Sequence, residues 1–260
     1  MDPADVLTRP SDLPDVVVRY GDHADAVLDL HLPPRRVGAP APASPLLVFV
    51  HGGFWRAAYD RTHTRPLAEA LAAQGFVVAT PEYRRVGSPG DLAGGWPTTA
   101  DDVRAAVAAL PRLLDGLGIP VTTITVAGHS AGGHLALWLA NEPLPLHRVV
   151  ALAPVGDLRA AAAAGLGDGA VEAFLGGTPD EVPERYDAAD PATRLADRPA
   201  CPVTVVHGAD DVQVPVGNSQ GLARRHPFVD LRVLDGTDHF AVIDPHSPAW
   251  PVVLSAVRGE

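Results

Sequence analysis

In ITVAGHSAGGHLALWLA, Ile124 to Ala140, an apolar β-branched run (Ile124 to Ala127) passes through Gly128, His129, Ser130, Ala131 and Gly132 into a helix-forming run (His134 to Ala140). That order is a strand, a tight turn and a helix, with a serine at the apex. The turn in such a unit is so sharp that the apical residue takes a strained backbone conformation, and small flanking residues let the strand and helix pass each other. Ser130 is therefore expected above the carboxyl edge of a sheet. The first backbone N–H of the helix, that of Ala131, would there point at an oxyanion forming on a substrate carbonyl. A GxSxG string alone is common; the setting gives this one its weight.

Outward from this unit, short apolar runs bounded by turn residues recur at Val16 to Tyr20, Ala26 to Leu32, Leu46 to Val50, Phe76 to Thr80, Thr122 to Ala127, Arg148 to Leu152, Val203 to Val206 and Leu231 to Leu234. The later runs show little polar alternation, as strands buried on both faces do. Helix-period stretches lie between them. Val103, Val107, Leu110, Leu114 and Leu117 mark one apolar face, in which Pro111 is expected to kink or shorten the helix. Others run from Thr64 to Gln74, His134 to Asn141, Gly217 to Arg225 and Ser247 to Arg258. This alternation predicts an α/β fold: a mostly parallel sheet of about eight strands, helices on both faces, and one domain over residues 1–260. Pro33 to Ser44, rich in Pro and Ala, reads as a surface connection. Gly156 to Ala200 has too few strand signals to join the sheet; it is expected to form two or three short helices, a small cap insertion that walls a pocket.

The formal net charge of −11 argues against a polyanionic partner such as nucleic acid and leaves no basic patch for a membrane surface. Cys201 is the single cysteine, so no intrachain disulfide can form; before Pro202 and without a nearby base it is expected to be inert. Met1 to Asp15 carries acids and prolines where a secretory signal has a basic start and an apolar core, and no apolar run is long enough to cross a bilayer. A cytoplasmic location is the expectation. The eleven histidines include no HExxH or comparable ligand spacing, and no phosphate- or dinucleotide-binding glycine motif follows a strand. No metal and no cofactor are expected; the oligomeric state is not legible.

A serine hydroxyl needs a base to take its proton and an acid to hold that base in the right tautomer. After the run Val203 to Val206 comes HGADDVQVP (His207 to Pro215), and after Leu231 to Leu234 comes DGTDHF (Asp235 to Phe240). Both follow the carboxyl ends of strands, the edge on which Ser130 stands, in the chain order serine, acid, histidine. His239 is the candidate base. Asp211 is preferred to its neighbour Asp210 as the acid because it stands three positions before the valine of the Val214-Pro215 pair; Asp210 would shape the turn.

HGGFW (His51 to Trp55) follows the run Leu46 to Val50, and its adjacent glycines can turn peptide N–H groups inward. Gly52, Gly53 and Phe54, with Ala131, are the candidate oxyanion donors. His51 is expected to be structural, His129 to support the site and His134 with Trp138 to pack beneath the turn. Among the aromatics, Phe54 and Trp55 have the best claim to bind substrate because they adjoin this loop; Tyr83, Trp96 and Phe174 are core or pocket.

Taken together, YG…LDLHLP (Tyr20 to Pro33), HGGFW, GHSAGGHLA (Gly128 to Ala136), HGADDVQVP and GTDHF (Gly236 to Phe240) resemble the α/β-hydrolase superfamily, in particular the HGG-loop carboxylesterases and the arylformamidases of the kynurenine formamidase type. The resemblance spans nearly the whole chain. It implies a Ser130–Asp211–His239 triad cleaving a small-molecule ester or activated amide through an acyl-enzyme, and it supports Asp211 in the acid's register. The acid loop is also similar to that of prolyl oligopeptidase-type peptidases, but those need a large gating domain for which this chain has no room. Two other readings keep the same fold: a ligand-binding protein without catalysis, and an acyltransferase or lyase that reuses the triad.

Overall fold

The computed structural model describes residues 3–34 and 43–260. Eight strands form one sheet: β1 (Val16–Arg19), β2 (Val27–His31), β3 (Ser44–Val50), β4 (Val77–Pro81), β5 (Val121–His129), β6 (Arg148–Leu152), β7 (Val203–Gly208) and β8 (Asp230–Leu234). Their spatial order is β1-β2-β4-β3-β5-β6-β7-β8, antiparallel from β1 to β4 and parallel from β4 onward. This is the α/β-hydrolase fold read from the sequence. Most of the Pro33 to Ser44 connection lies outside the described residues.

β3 shows why the central runs lack polar alternation. Leu46, Val48 and Val50 pack into a core on one side of the sheet, while Leu47 and Phe49 pack into a second core on the other. Helices cover both. The first face receives α2 (Thr98–Gly116), α3 (Ala131–Leu139) and α8 (Gly217–Arg225) through Val103, Leu110, Leu135 and Leu222. The second receives α1 (Arg65–Ala73) and α9 (Trp250–Arg258) through Leu67, Leu71, Val253 and Val257. Burying one such side chain from water is worth about 1.5–3 kcal/mol, so these paired faces supply the main drive to fold.

Pro111 does not shorten its helix, and the expected count of cap helices needs correction. α2 runs through Pro111 as a single helix of 19 residues. The proline itself sits on the exposed face, away from the buried side that carries Val107 and Leu110. Residues 156–200 form four short helices rather than two or three: α4 (Leu158–Ala163), α5 (Ala170–Leu175), α6 (Pro183–Ala189) and α7 (Pro191–Arg194). Asp190 explains the extra division: its carboxylate accepts from the N–H groups of Leu158 and Ala192, capping the starts of both α4 and α7. No helix among the described residues is long and apolar enough to cross a membrane.

The strand order turns about β3. The β3–β4 connection leads to one side and the β4–β5 connection crosses to the other, so the loops after β3 and β5 open a crevice at the carboxyl edge. These are the loops that carry His51 to Trp55 and Ser130.

Candidate active site

Ser130 joins β5 to α3 with φ 55° and ψ −117°, a left-handed conformation that a residue with a Cβ rarely adopts. Three backbone bonds hold it there: its N–H donates to Leu152 O (2.9 Å), and its carbonyl accepts from His134 (3.0 Å) and Val155 (3.3 Å). Close approach explains the flanking glycines. A Cβ on Gly132 would be driven into the Val50 carbonyl, and one on Gly128 into the Gly132 carbonyl. α3 starts at Ala131, directly after the serine, and its first turn passes close against the backbone of β3.

Asp211 and His239 meet from two loops that lie side by side. Ala209 N–H donates to Leu234 O, and Asp210 N–H to Thr237 O (3.0 Å). His239 Nδ1 donates to Asp211 Oδ2 at 2.6 Å, and Oδ1 of the same carboxylate accepts from the N–H groups of Gln213 and Val214, both at 2.8 Å. Asp210 is exposed, and no hydrogen bond or ion pair joins its side chain to His239 among the described residues. The structure adds a support that sequence reading missed: His207 Nε2 lies 3.1 Å from Asp211 Oδ2 and 2.8 Å from Val214 O, with Ser219 Oγ on its other nitrogen at 2.7 Å. Burial alone would raise the Asp211 pKa, but the hydrogen bonds from His207 and His239 prevail and hold the carboxylate well below its ordinary range. His129 Nε2 donates to His239 O at 2.9 Å, and its own pKa is pushed far down by burial and by the neighbouring His239 ring. His129 is thus a neutral strut under His239. No hydrogen bond joins the Ser130 hydroxyl to His239 among the described residues; such bonds are often loose until substrate arrives.

Gly52 packs against this unit, with the space for its Cβ already filled by His129 O and Ser130 Cβ. Gly53, Phe54 and Trp55 all have positive φ (107°, 51° and 56°), which turns the chain sharply after β3. The backbone N–H groups of Gly53, Phe54 and Ala131 donate to no partner among the described residues. The same sharp turn sends the two aromatics apart. Phe54 lines a cavity, propped from behind by Gly167, whereas Trp55 is fully buried, stacked on Phe174 at 4.5 Å and edge-on to His134 at 5.2 Å. The expectation that Trp55 binds substrate is corrected: it is core, and so are Tyr83 and Phe174. His134 and Trp138 pack as expected, donating to the carbonyls of Ala189 and Ala188. Burial pushes the Cys201 thiol pKa up.

What fixes the loop after β3 is Glu82, at the end of β4 and only 2% exposed. Its Oε1 accepts from His51 Nε2 (2.9 Å) and pairs with Arg85 (3.1 Å), and its Oε2 accepts from Arg61 N–H (3.0 Å). Tyr83 stacks on the His51 ring at 4.2 Å and donates to His51 O. Burial would raise the Glu82 pKa, but His51, Arg85 and the Arg61 amide overcome it and bring it down to about 2. A carboxylate so depressed contributes stability above its ordinary value of 4.5, and that contribution is lost as pH falls toward about 2. Glu82→Gln is expected to cost about 3 kcal/mol at pH 7 and to show a flatter acid limb than the parent. Urea melts of both proteins at pH 7 and pH 3 check this; equal losses at the two pH values would refute it. The sequence signal was present, since PEYR directly follows a strand at the working edge.

The cavity holds about 260 Å³ and is lined by Ala4, Leu7, Gly53, Phe54, Tyr59, His63, His129, Ser130, Gln213, His239 and Phe240. None of residues 156–200 is among them, which overturns the expectation that this segment walls the pocket. It supports the wall from behind, through Phe174 under Trp55, Gly167 behind Phe54, and the Gly167 carbonyl accepting from Arg56.

The BD-FAE family model matches residues 28–144. Esterase LipC of Mycobacterium tuberculosis is 32% identical over 225 residues, which are 80% of this chain and 54% of LipC. Kynurenine formamidase of Danio rerio is 29% identical over 119 residues, 46% of this chain and 36% of that protein. The chain thus spans about half the length of LipC and less of the formamidase. Among solved structures, esterase B of Lactobacillus rhamnosis superposes with a TM-score of 0.78 at 20% identity, covering 98% of this chain and 88% of that one.

Proposed function

We propose that this α/β-hydrolase, a member of the carboxylesterase and arylformamidase-like group, hydrolyses small uncharged carboxylic esters through an acyl-enzyme on Ser130. The observation that carries the reading is convergence: Ser130 and His239, the latter paired with Asp211, line one cavity together with Gly53 and Phe54, whose N–H groups, like that of Ala131 beside Ser130, have no partner among the described residues. His239 Nε2 takes the hydroxyl proton as Ser130 Oγ attacks the carbonyl, while Asp211 keeps the other ring proton on Nδ1. The oxyanion accepts from the backbone donors, each worth on the order of 3 kcal/mol in the transition state. His239 then protonates the departing alcohol, and water repeats the sequence to free the acid and restore Ser130.

The lining favours an uncharged substrate. Burial in the first place brings the pKa of His63 down to about 4 and that of His129 far below its ordinary value, so both are neutral at pH 7. Among the described residues no Lys, Arg, Asp or Glu side chain faces the cavity. An amino-acid formamide brings an ammonium and a carboxylate for which this wall has no counter-ion. Formamide cleavage is the second reading, favoured by the likeness to the Danio rerio formamidase. An alkyl fluorophosphonate is expected to modify one site, on the peptide that contains Ser130. The protein is expected to turn over p-nitrophenyl acetate with a kcat/KM about tenfold or more above that for N-formylkynurenine. Absence of labelling at Ser130 would remove the serine mechanism, and a preference for the formamide would replace the ester reading with the second one.

A further inference from the structure

One wall of the cavity comes from the 3-10 turn Pro3–Thr8, far in sequence from Ser130, Asp211 and His239. Ala4 and Leu7, three residues apart and so on one face of the turn, line the cavity, while Val6 is buried in the core shared with α1 and α9. The segment is also clamped. The Arg9 guanidinium forks onto Asp244, with Nη1 on Oδ1 and Nη2 on Oδ2 at 2.7 Å. Asp244 closes the short turn Ala241–Ile243 that directly follows His239 and Phe240. The hydrogen bond from Arg9 holds the Asp244 carboxyl below its ordinary range, so the pair is ionised at neutral pH. The turn and the loop that carries His239 are therefore tied together across more than two hundred residues of chain.

We infer that residues 4–9 are the size-selecting wall of the site, with Leu7 limiting the substituent that fits beside Ser130 and the Arg9–Asp244 clamp positioning Leu7. This rests on the reading of Ser130 as the acylating nucleophile. The physical ground is the cavity itself. Its volume of about 260 Å³ is small for a ligand site. Leu7 is the one aliphatic side chain larger than alanine among the residues that line it. Trimming a wall by a few methylene groups changes selectivity between homologous substrates on the order of tenfold.

The test measures kcat/KM for p-nitrophenyl acetate and hexanoate, and for naphthyl acetate, on the full chain and on Leu7→Ala, Leu7→Trp and Arg9→Ala. Leu7→Ala is expected to raise the ratio of a larger ester to p-nitrophenyl acetate on the order of tenfold, and Leu7→Trp to lower it. Arg9→Ala, which does not line the cavity, is expected to shift the ratio in the same direction as Leu7→Ala, a change that mere loss of stability would not produce. Whether the hexanoate or the naphthyl ester responds identifies the substituent that lies against Leu7. Unchanged ratios in all three variants, or equal loss of every ester, would overturn the wall and leave the esterase reading intact. A parent protein without Ser130-dependent turnover of any ester would overturn both.

Discussion

Ser130→Ala is expected to lower kcat for p-nitrophenyl acetate by on the order of 10⁵-fold while leaving the fold unchanged. The size of the effect follows from what is removed: without Oγ no acyl-enzyme forms, and only the oxyanion donors and binding remain. The fold survives for a structural reason. Alanine keeps the Cβ, so the φ of 55° is no worse tolerated, and the bonds that pin this residue all use its backbone. The hydroxyl itself anchors nothing among the described residues. Steady-state kinetics with a matched thermal melt check both halves; turnover within about tenfold of the parent would remove Ser130 from the chemistry.

Asp211→Asn is expected to lower kcat by on the order of 10⁴-fold, more than the loss of one charge near a base would suggest. The reason is proton bookkeeping at His239. Oδ1 of Asp211 accepts two backbone N–H bonds, from Gln213 and Val214, so the amide oxygen of an asparagine takes that side. Its NH₂ then faces His239 Nδ1 and His207 Nε2, where the carboxylate oxygen had accepted. A donor at that point forces the histidine proton from Nδ1 onto Nε2, and a protonated Nε2 cannot accept from Ser130. The donor–donor clash with His207 adds about 1–3 kcal/mol of lost stability. Asp210→Asn, one residue away but exposed, is expected to leave kcat within about twofold, as surface substitutions usually do. Kinetics and melts of both variants settle the register: similar losses at the two positions would refute Asp211 as the orienting acid.

Much of the working edge was legible because each of its parts is local. The elbow at Ser130 is a strand, small residues and a helix in one continuous stretch. The His51 to Trp55 loop and the loops after β7 and β8 each follow an apolar run by one or two residues. The parts that sequence reading missed or misplaced share the opposite character. Trp55 adjoins the loop, yet successive positive φ values turn it beneath the loop into the core, and no residue type announces that. Glu82 bonds His51 across 31 residues. Leu7 reaches the cavity because Val6 is buried and Arg9 finds Asp244, partners 235 residues apart.

The amino-acid sequence by itself determined the α/β order, the serine at the turn after β5, and the placement of Asp211 and His239 on the loops after β7 and β8. Strand periodicity, glycine at points of close approach and loops at strand ends are all set by neighbours in the chain. Only the tertiary structure decided which aromatic faces the cavity, which carboxylate steadies the loop after β3, and which segment walls the site. Those depend on surfaces brought together by burial of the two cores, and burial is non-directional: it rewards removal of apolar area from water without specifying, residue by residue, what lies opposite.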